Sequence, residues 1–127
     1  MENHIEHQSN CLIQTLEKLS TTKKIIPFSL YTKNGKLFRA ITSHKFFPCV
    51  HSHVFTLKKM DKNTGCLVLS VLIPIDIEGC PVDLCTDLYS LIETSFCVNL
   101  EIKNFCGVVQ LPEKLVNRFI PVIEPKC

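Results

Sequence analysis

The sequence predicts a mainly β fold, a two-sheet antiparallel sandwich with one short N-terminal helix, on three observations. Short runs with apolar residues at every second position recur along the chain. Glycine, asparagine and proline separate these runs, and only one brief stretch near the start has helical spacing. Roughly six to eight short strands joined by turns bury their apolar faces most simply as two stacked sheets, of which a jelly roll is one arrangement. The chain of 127 residues fits one domain, and a domain of this size buries roughly two-thirds of the surface of its unfolded chain.

Taken in order, Asn10 is the expected N-cap of a helix in which Leu12, Leu16 and Leu19 recur at helical spacing up to Ser20. So short a helix is not stable alone and must dock on something or fray. Thr21 to Lys24 reads as a linker. From Ile25 the run IIPFSLYT, the dipeptide Asn34-Gly35 and the run KLFRAI predict a hairpin with a type I′ turn. Pro27 lacks an N–H and belongs at a sheet edge or among the first residues of its strand. His53 to Met60 reads as a strand, Asp61 to Gly65 as its turn, and Cys66 to Ile75 as a buried partner.

Asp76 to Asp87, with Gly79 and Pro81, reads as a loop crossing between sheets, and Leu88 to Ile92 as a short strand. Phe96, Val98, Leu100 and Ile102 alternate with Cys97, Asn99 and Glu101, which predicts a strand with the first set inward and Cys97 outward. Phe105 to Leu111 is the last expected strand. The segment from Pro112 to Cys127, with prolines at 112, 121 and 125, is expected to stay out of the sheets. The organisation is thus an N-terminal arm (1–24), a β-sandwich (25–111) and a tail (112–127). Val54, Phe55, Leu67, Leu69, Val71, Phe96, Val98 and Leu100 should form much of the core. Phe28, Phe38 and Phe105 also fall at inward positions, and the loop pair Phe46-Phe47 is a candidate interface.

Fourteen basic and twelve acidic residues give a formal charge of +2, with the lysines scattered, so a phosphate-binding surface and a nucleic-acid partner find no support. Met1 to Asn10 is polar, with Glu2, His4, Glu6 and His7, and lacks the basic start and apolar run of a secretion signal. The longest apolar stretch, Cys66 to Ile77, is interrupted by Ser70, Pro74 and Asp76 and falls short of the roughly 20 residues that span a bilayer. Eight cysteines are several times ordinary usage, yet the expected site of synthesis keeps thiols reduced. Three resolutions present themselves: buried thiols acting as small hydrophobes, a zinc site, or a protein oxidised after synthesis.

Cys49, His51 and His53, two apart on an extended chain, share a face and are the sharpest candidate metal ligands. Their spacing matches no standard zinc signature, and a closed site needs a fourth ligand such as His44, Cys66 or Cys85. His4 and His7 read as solvated tail residues. No C-x-x-C motif, cysteine-protease motif or glycine-rich phosphate loop is present in the sequence. Asp83 and Asp87 read as solvated loop carboxylates. The expectation is therefore no enzyme: no catalytic residue, no cofactor and no assigned metal site.

Strands and cysteines read together carry a resemblance. Pro27 to Gly35 (PFSLYTKNG), Val54-Phe55, Gly65 to Leu69 (GCLVL), Ser95 to Val98 (SFCV) and Asn104 to Cys106 (NFC) resemble, in order, the spore-coat Y/Z family of Bacillus and relatives. That family includes the cysteine-rich protein of the exosporium basal layer. The likeness runs from about Ile25 to Leu111. It implies a structural protein made in the mother cell without a signal peptide. Such a protein assembles with itself and with other coat or exosporium proteins into ordered layers at the spore surface, linked by disulfides.

Cys49, Cys66, Cys85, Cys97 and Cys106 stand where family cysteines stand, and Cys11 matches an N-terminal one. Asn104 and Gln110 replace family cysteines, the N-terminal cysteine cluster is missing, and Cys80 and Cys127 are additional. A less heavily linked paralogue, an accessory coat component and a subunit of a spore appendage fibre all agree with this pattern. The alternative from another class is an intracellular zinc-binding or regulatory adaptor. The expected intermolecular disulfides use thiols outside the core: Cys11 in the arm, Cys97 on a polar strand face and Cys127 at the mobile C-terminus. Cys49, Cys66, Cys80, Cys85 and Cys106 are the other disulfide candidates, with Cys66 expected to be packed or internally bridged.

Overall fold

A computed structural model describes the backbone from Glu2 onward and the side chains from Cys11 onward. The chain folds into α1 (Glu2–Thr21), β1 (Phe28–Thr32), β2 (Ala40–His44), β3 (Phe47–Ser52), β4 (Val54–Asp61), β5 (Cys66–Ile75), β6 (Ser90–Glu101) and β7 (Phe105–Gln110). The architecture is mainly β, as the alternating runs predict. Five strands form one antiparallel sheet in the order β6-β5-β4-β1-β7, and β2 and β3 form a second. The division is uneven, and the seven strands among the described residues fall short of the eight of a jelly roll.

The helix starts at Glu2, so Asn10 is an interior residue and not the N-cap. The early residues carry no apolar stripe, which hid these turns from a reading by periodicity. At the other end the Ser20 and Thr21 hydroxyls donate to the Glu17 and Lys18 carbonyls, and the Thr22 N–H also donates to the Lys18 carbonyl. Leu12, Leu16 and Leu19 are all buried, so the helix docks as its length requires.

The Asn34-Gly35 turn forms, but with a different geometry. Gly35 N–H donates to the Thr32 carbonyl and Thr32 N–H to the Lys36 carbonyl, and only Gly35 has a positive φ. This is a three-residue loop, a type I turn closed by a left-handed glycine. The two flanking strands then part. Tyr31 bridges Leu37, after which β1 pairs with β4 and β7 while β2 pairs with β3. Pro27 lies just before β1, where its missing donor disrupts no ladder.

The second hairpin agrees with its sequence pattern. In its turn the Asp61 carboxylate accepts from the Asn63 and Thr64 N–H groups, which holds its pKa below the ordinary aspartate value. The 76–89 connection does not cross between sheets. It returns from β5 to β6, its own neighbour. The two strands expected over 88–92 and 96–102 are one bent strand, β6, paired to β5 throughout. Its register slips where Ser70 faces Cys97 but Leu72 faces Glu93, leaving two extra residues on β6. The Thr94 hydroxyl sits at this bulge, donating to the Val71 carbonyl at 2.7 Å and accepting from the Phe96 N–H at 3.2 Å.

β6 and β7 lie at opposite edges of the large sheet, yet only the helical turn Ile102–Asn104 joins them. Four inter-strand spacings of about 4.8 Å would separate the edges by about 19 Å in a flat sheet, more than the roughly 14 Å spanned by four Cα steps. The sheet therefore curls, and α1 packs against β4, β7 and this turn. Along β5 the two faces serve different clusters. Leu67, Leu69 and Val71 meet the helix leucines with Phe28, Leu30, Phe55 and Phe105. Ile73 and Ile75 have the same parity and join Val50 of the small sheet and Ile120. Leu72, on the opposite face, joins Val54, Leu91 and Leu115.

Of the expected core, Val54, Phe55, Leu67, Leu69 and Val71 are buried, while Val98 and Leu100 are half-buried against the main cluster. Phe96 is exposed, because it lies within the bulge between the paired residues Glu93 and Cys97. Phe38 is half-buried, lying tilted against the Phe55 ring and edge-to-face with Phe105. The 112–127 segment is mostly irregular, but Val116 makes a parallel bridge with Leu91, Asn117 donates to the Glu93 carboxylate, and Arg118 covers the Tyr89 ring at 4.0 Å. Among the described residues no helix is long and apolar enough to cross a membrane.

Candidate cross-linking thiols

Cysteine is among the residues most often buried, so eight cysteines in a small domain would ordinarily include several core thiols. Here none is buried. Cys11, Cys49, Cys66, Cys85, Cys97, Cys106 and Cys127 are exposed, Cys80 is half-exposed, and all eight are unbridged. Filling the core is therefore not the reason for the cysteine excess.

The fold distributes these thiols over its elements. Cys11 lies on α1, Cys49 on β3, Cys66 at the first position of β5, and Cys80 and Cys85 in the β5–β6 connection. Cys97 and Cys106 lie on β6 and β7, the two edges of the large sheet. Cys97 is outward, as its alternation predicts. Cys66 is not the packed thiol expected of a buried strand, because its place beside the Asp61–Gly65 turn leaves it open to solvent. The Cys106 thiol donates to the Thr32 carbonyl at 3.2 Å.

One juxtaposition has no sequence signal. The Cys80 thiol meets that of Cys127, and their mutual hydrogen bond, with desolvation and the nearby Asp76 charge, pushes the Cys80 pKa up to about 11. The two residues are distant in sequence and share no motif. Only the return of the tail onto the β5–β6 connection brings them together.

Cys49 and His51 lie on the exposed face of β3, with Val50 and Ser52 on the buried face. His53 follows the end of β3, and its carbonyl accepts from the Ser29 hydroxyl. Among the described residues no three histidine, cysteine or acidic side chains converge as a metal site would require. Asp83 and Asp87 are exposed in the β5–β6 connection. The His4 and His7 side chains lie outside the described residues.

All eight thiols of this small, curled β fold thus stand outside its core. Residues 1–113 match the model of the spore coat protein Z family, and the chain belongs to that family. Membership gives it a structural spore-coat role and a place at the spore surface. No curated protein matches the chain, and no solved structure does.

Proposed function

We propose that this chain is a building block of a spore-surface layer. It assembles with copies of itself and with other coat or exosporium proteins, and intermolecular disulfides then fix the assembly. The observation that carries this reading is the exclusion of all eight thiols from the core. A disulfide requires Cα atoms within about 7 Å, which surface thiols on neighbouring subunits can reach without unfolding.

Cys11 on the helix and Cys97 on an edge strand are the first candidates for links between subunits. Cys127 joins them once it leaves Cys80. The edges β6 and β7 carry unpaired backbone groups that invite further pairing, and beside them stand the exposed Phe96 and Val109. A contact between two different patches, repeated between identical subunits, closes into a ring or continues as a fibre, and several such contacts make a sheet.

Size-exclusion chromatography with light scattering tests the assembly. The reading expects large homo-oligomers under oxidising conditions. A monomer at every concentration, with and without reductant, would refute it.

A further inference from the structure

We infer that Cys80 and Cys127 form an intramolecular disulfide that clasps the 119–127 segment over the apolar end of β5. Three contacts lead the segment to its anchor. Ile120 packs with Ile73 and Ile75. Gly79 runs so close beneath the segment that a β-carbon there would lie 3.5 Å from both Pro125 Cα and Val122 Cγ2. Lys126 N–H donates to the Glu78 carbonyl at 3.3 Å, which sets Cys127 against the connection.

The anchor is itself held in place. Asp76 N–H donates to the Cys80 carbonyl, and the Asp76 carboxylate accepts from the Glu78 and Cys80 N–H groups at 2.9 Å each. Gly79, with φ of 84°, completes this tight loop in a conformation that favours glycine. Beneath the segment a cavity of about 170 Å³ is lined by apolar side chains that include Phe46, Phe47 and Ile92. The clasp thus closes a strap over apolar surface that would otherwise face solvent.

A low-molecular-weight disulfide, RSSR, supplies the oxidant. Cys127 as thiolate attacks one sulfur of RSSR and expels RS⁻, which takes up the proton Cys127 lost and leaves as RSH. Cys80 as thiolate then attacks the Cys127 sulfur of the mixed disulfide and expels the second RSH. Two protein thiols lose two protons and two electrons, and one RSSR becomes two RSH. Cys127 is the first nucleophile in this order because it is the more exposed of the two thiols and the one an oxidant in solution reaches first.

The inference concerns one chain and stands whether or not chains link to each other. Its test is a non-reducing peptide map of the full chain, oxidised at high dilution with oxidised glutathione and isolated as monomer. The expected result is one pair of peptides joined through Cys80 and Cys127, with the 119–127 segment resistant to proteolysis. In Cys80→Ser the pair should vanish and the segment should be cut several-fold faster, at a rate matched by reduced wild type. Recovery of Cys80 and Cys127 as free thiols in the oxidised monomer, or each joined to a different cysteine, would overturn the inference. Equal cleavage rates in oxidised wild type and Cys80→Ser would overturn the strap.

Discussion

Leu69→Ala probes the junction of sheet and helix, where the side chain is fully buried among the helix leucines, Phe55 and Leu67. The change removes three carbons, worth about 0.8 kcal/mol each on transfer, or about 2.4 kcal/mol. A residual cavity adds to this, so the expected loss is about 3–4 kcal/mol, within the usual range of about 2–5 for such changes. Val98→Ala is the internal control. It removes two carbons from a half-buried side chain facing the same cluster, and should lose about 1 kcal/mol. Urea unfolding of dilute, reduced protein would measure both, with the slope required to stay constant so that the midpoint reports stability. Equal losses at the two sites, or less than about half a kcal/mol at Leu69, would refute the assignment of this face of β5 to the helix.

Thr94→Val removes the hydroxyl that links the Val71 carbonyl to the β6 bulge. A loss of about 1–3 kcal/mol is expected, with faster amide exchange around Phe96; unchanged exchange there would show that the hydroxyl does not hold the bulge. Asp61 accepts two backbone hydrogen bonds as a carboxylate, so its folded pKa lies below the unfolded one. Its contribution is present above the ordinary aspartate pKa and is lost as pH falls through the lowered folded value. An NMR titration should place its midpoint below that of a free aspartate, and a midpoint at or above the free value would contradict the turn. Changing Cys11, Cys97 and Cys127 together to Ser should leave assembly possible but make it dissolve in denaturant without reductant. A denaturant-resistant ladder on a non-reducing gel would move the links to other thiols.

Strands with uninterrupted alternation and a strong turn were legible in the sequence. β5 and its turn are the clearest case, since a buried strand carries a continuous apolar run and Gly65 takes the positive φ that ends the loop. Glu93, Thr94 and Ser95 separate the two apolar runs of β6, so the sequence pattern reads as two strands. The physical cause is a bulge, which keeps the strand continuous and turns Phe96 out of the inward set that Val98 and Leu100 keep. The opening turns of α1 carry no apolar stripe, so periodicity gives them no signal. Gly79 and Pro81 signal the loop expected over Asp76 to Asp87 without saying where it leads, and it returns to the neighbouring strand instead of crossing.

For the candidate site, alternation alone placed Cys97 outward. The exposure of Cys66 turns on a neighbouring turn, and the meeting of Cys80 with Cys127 on long-range packing of the tail. Neither leaves a local pattern in the sequence.

Electron microscopy of the purified protein, imaged oxidised and then with reductant and denaturant, addresses the building-block account most directly. The account predicts extended, ordered assemblies in the oxidised sample that survive denaturant alone and disperse when reductant is added with it. Single small particles under oxidising conditions, at concentrations where the thiols have been shown to oxidise, would contradict it.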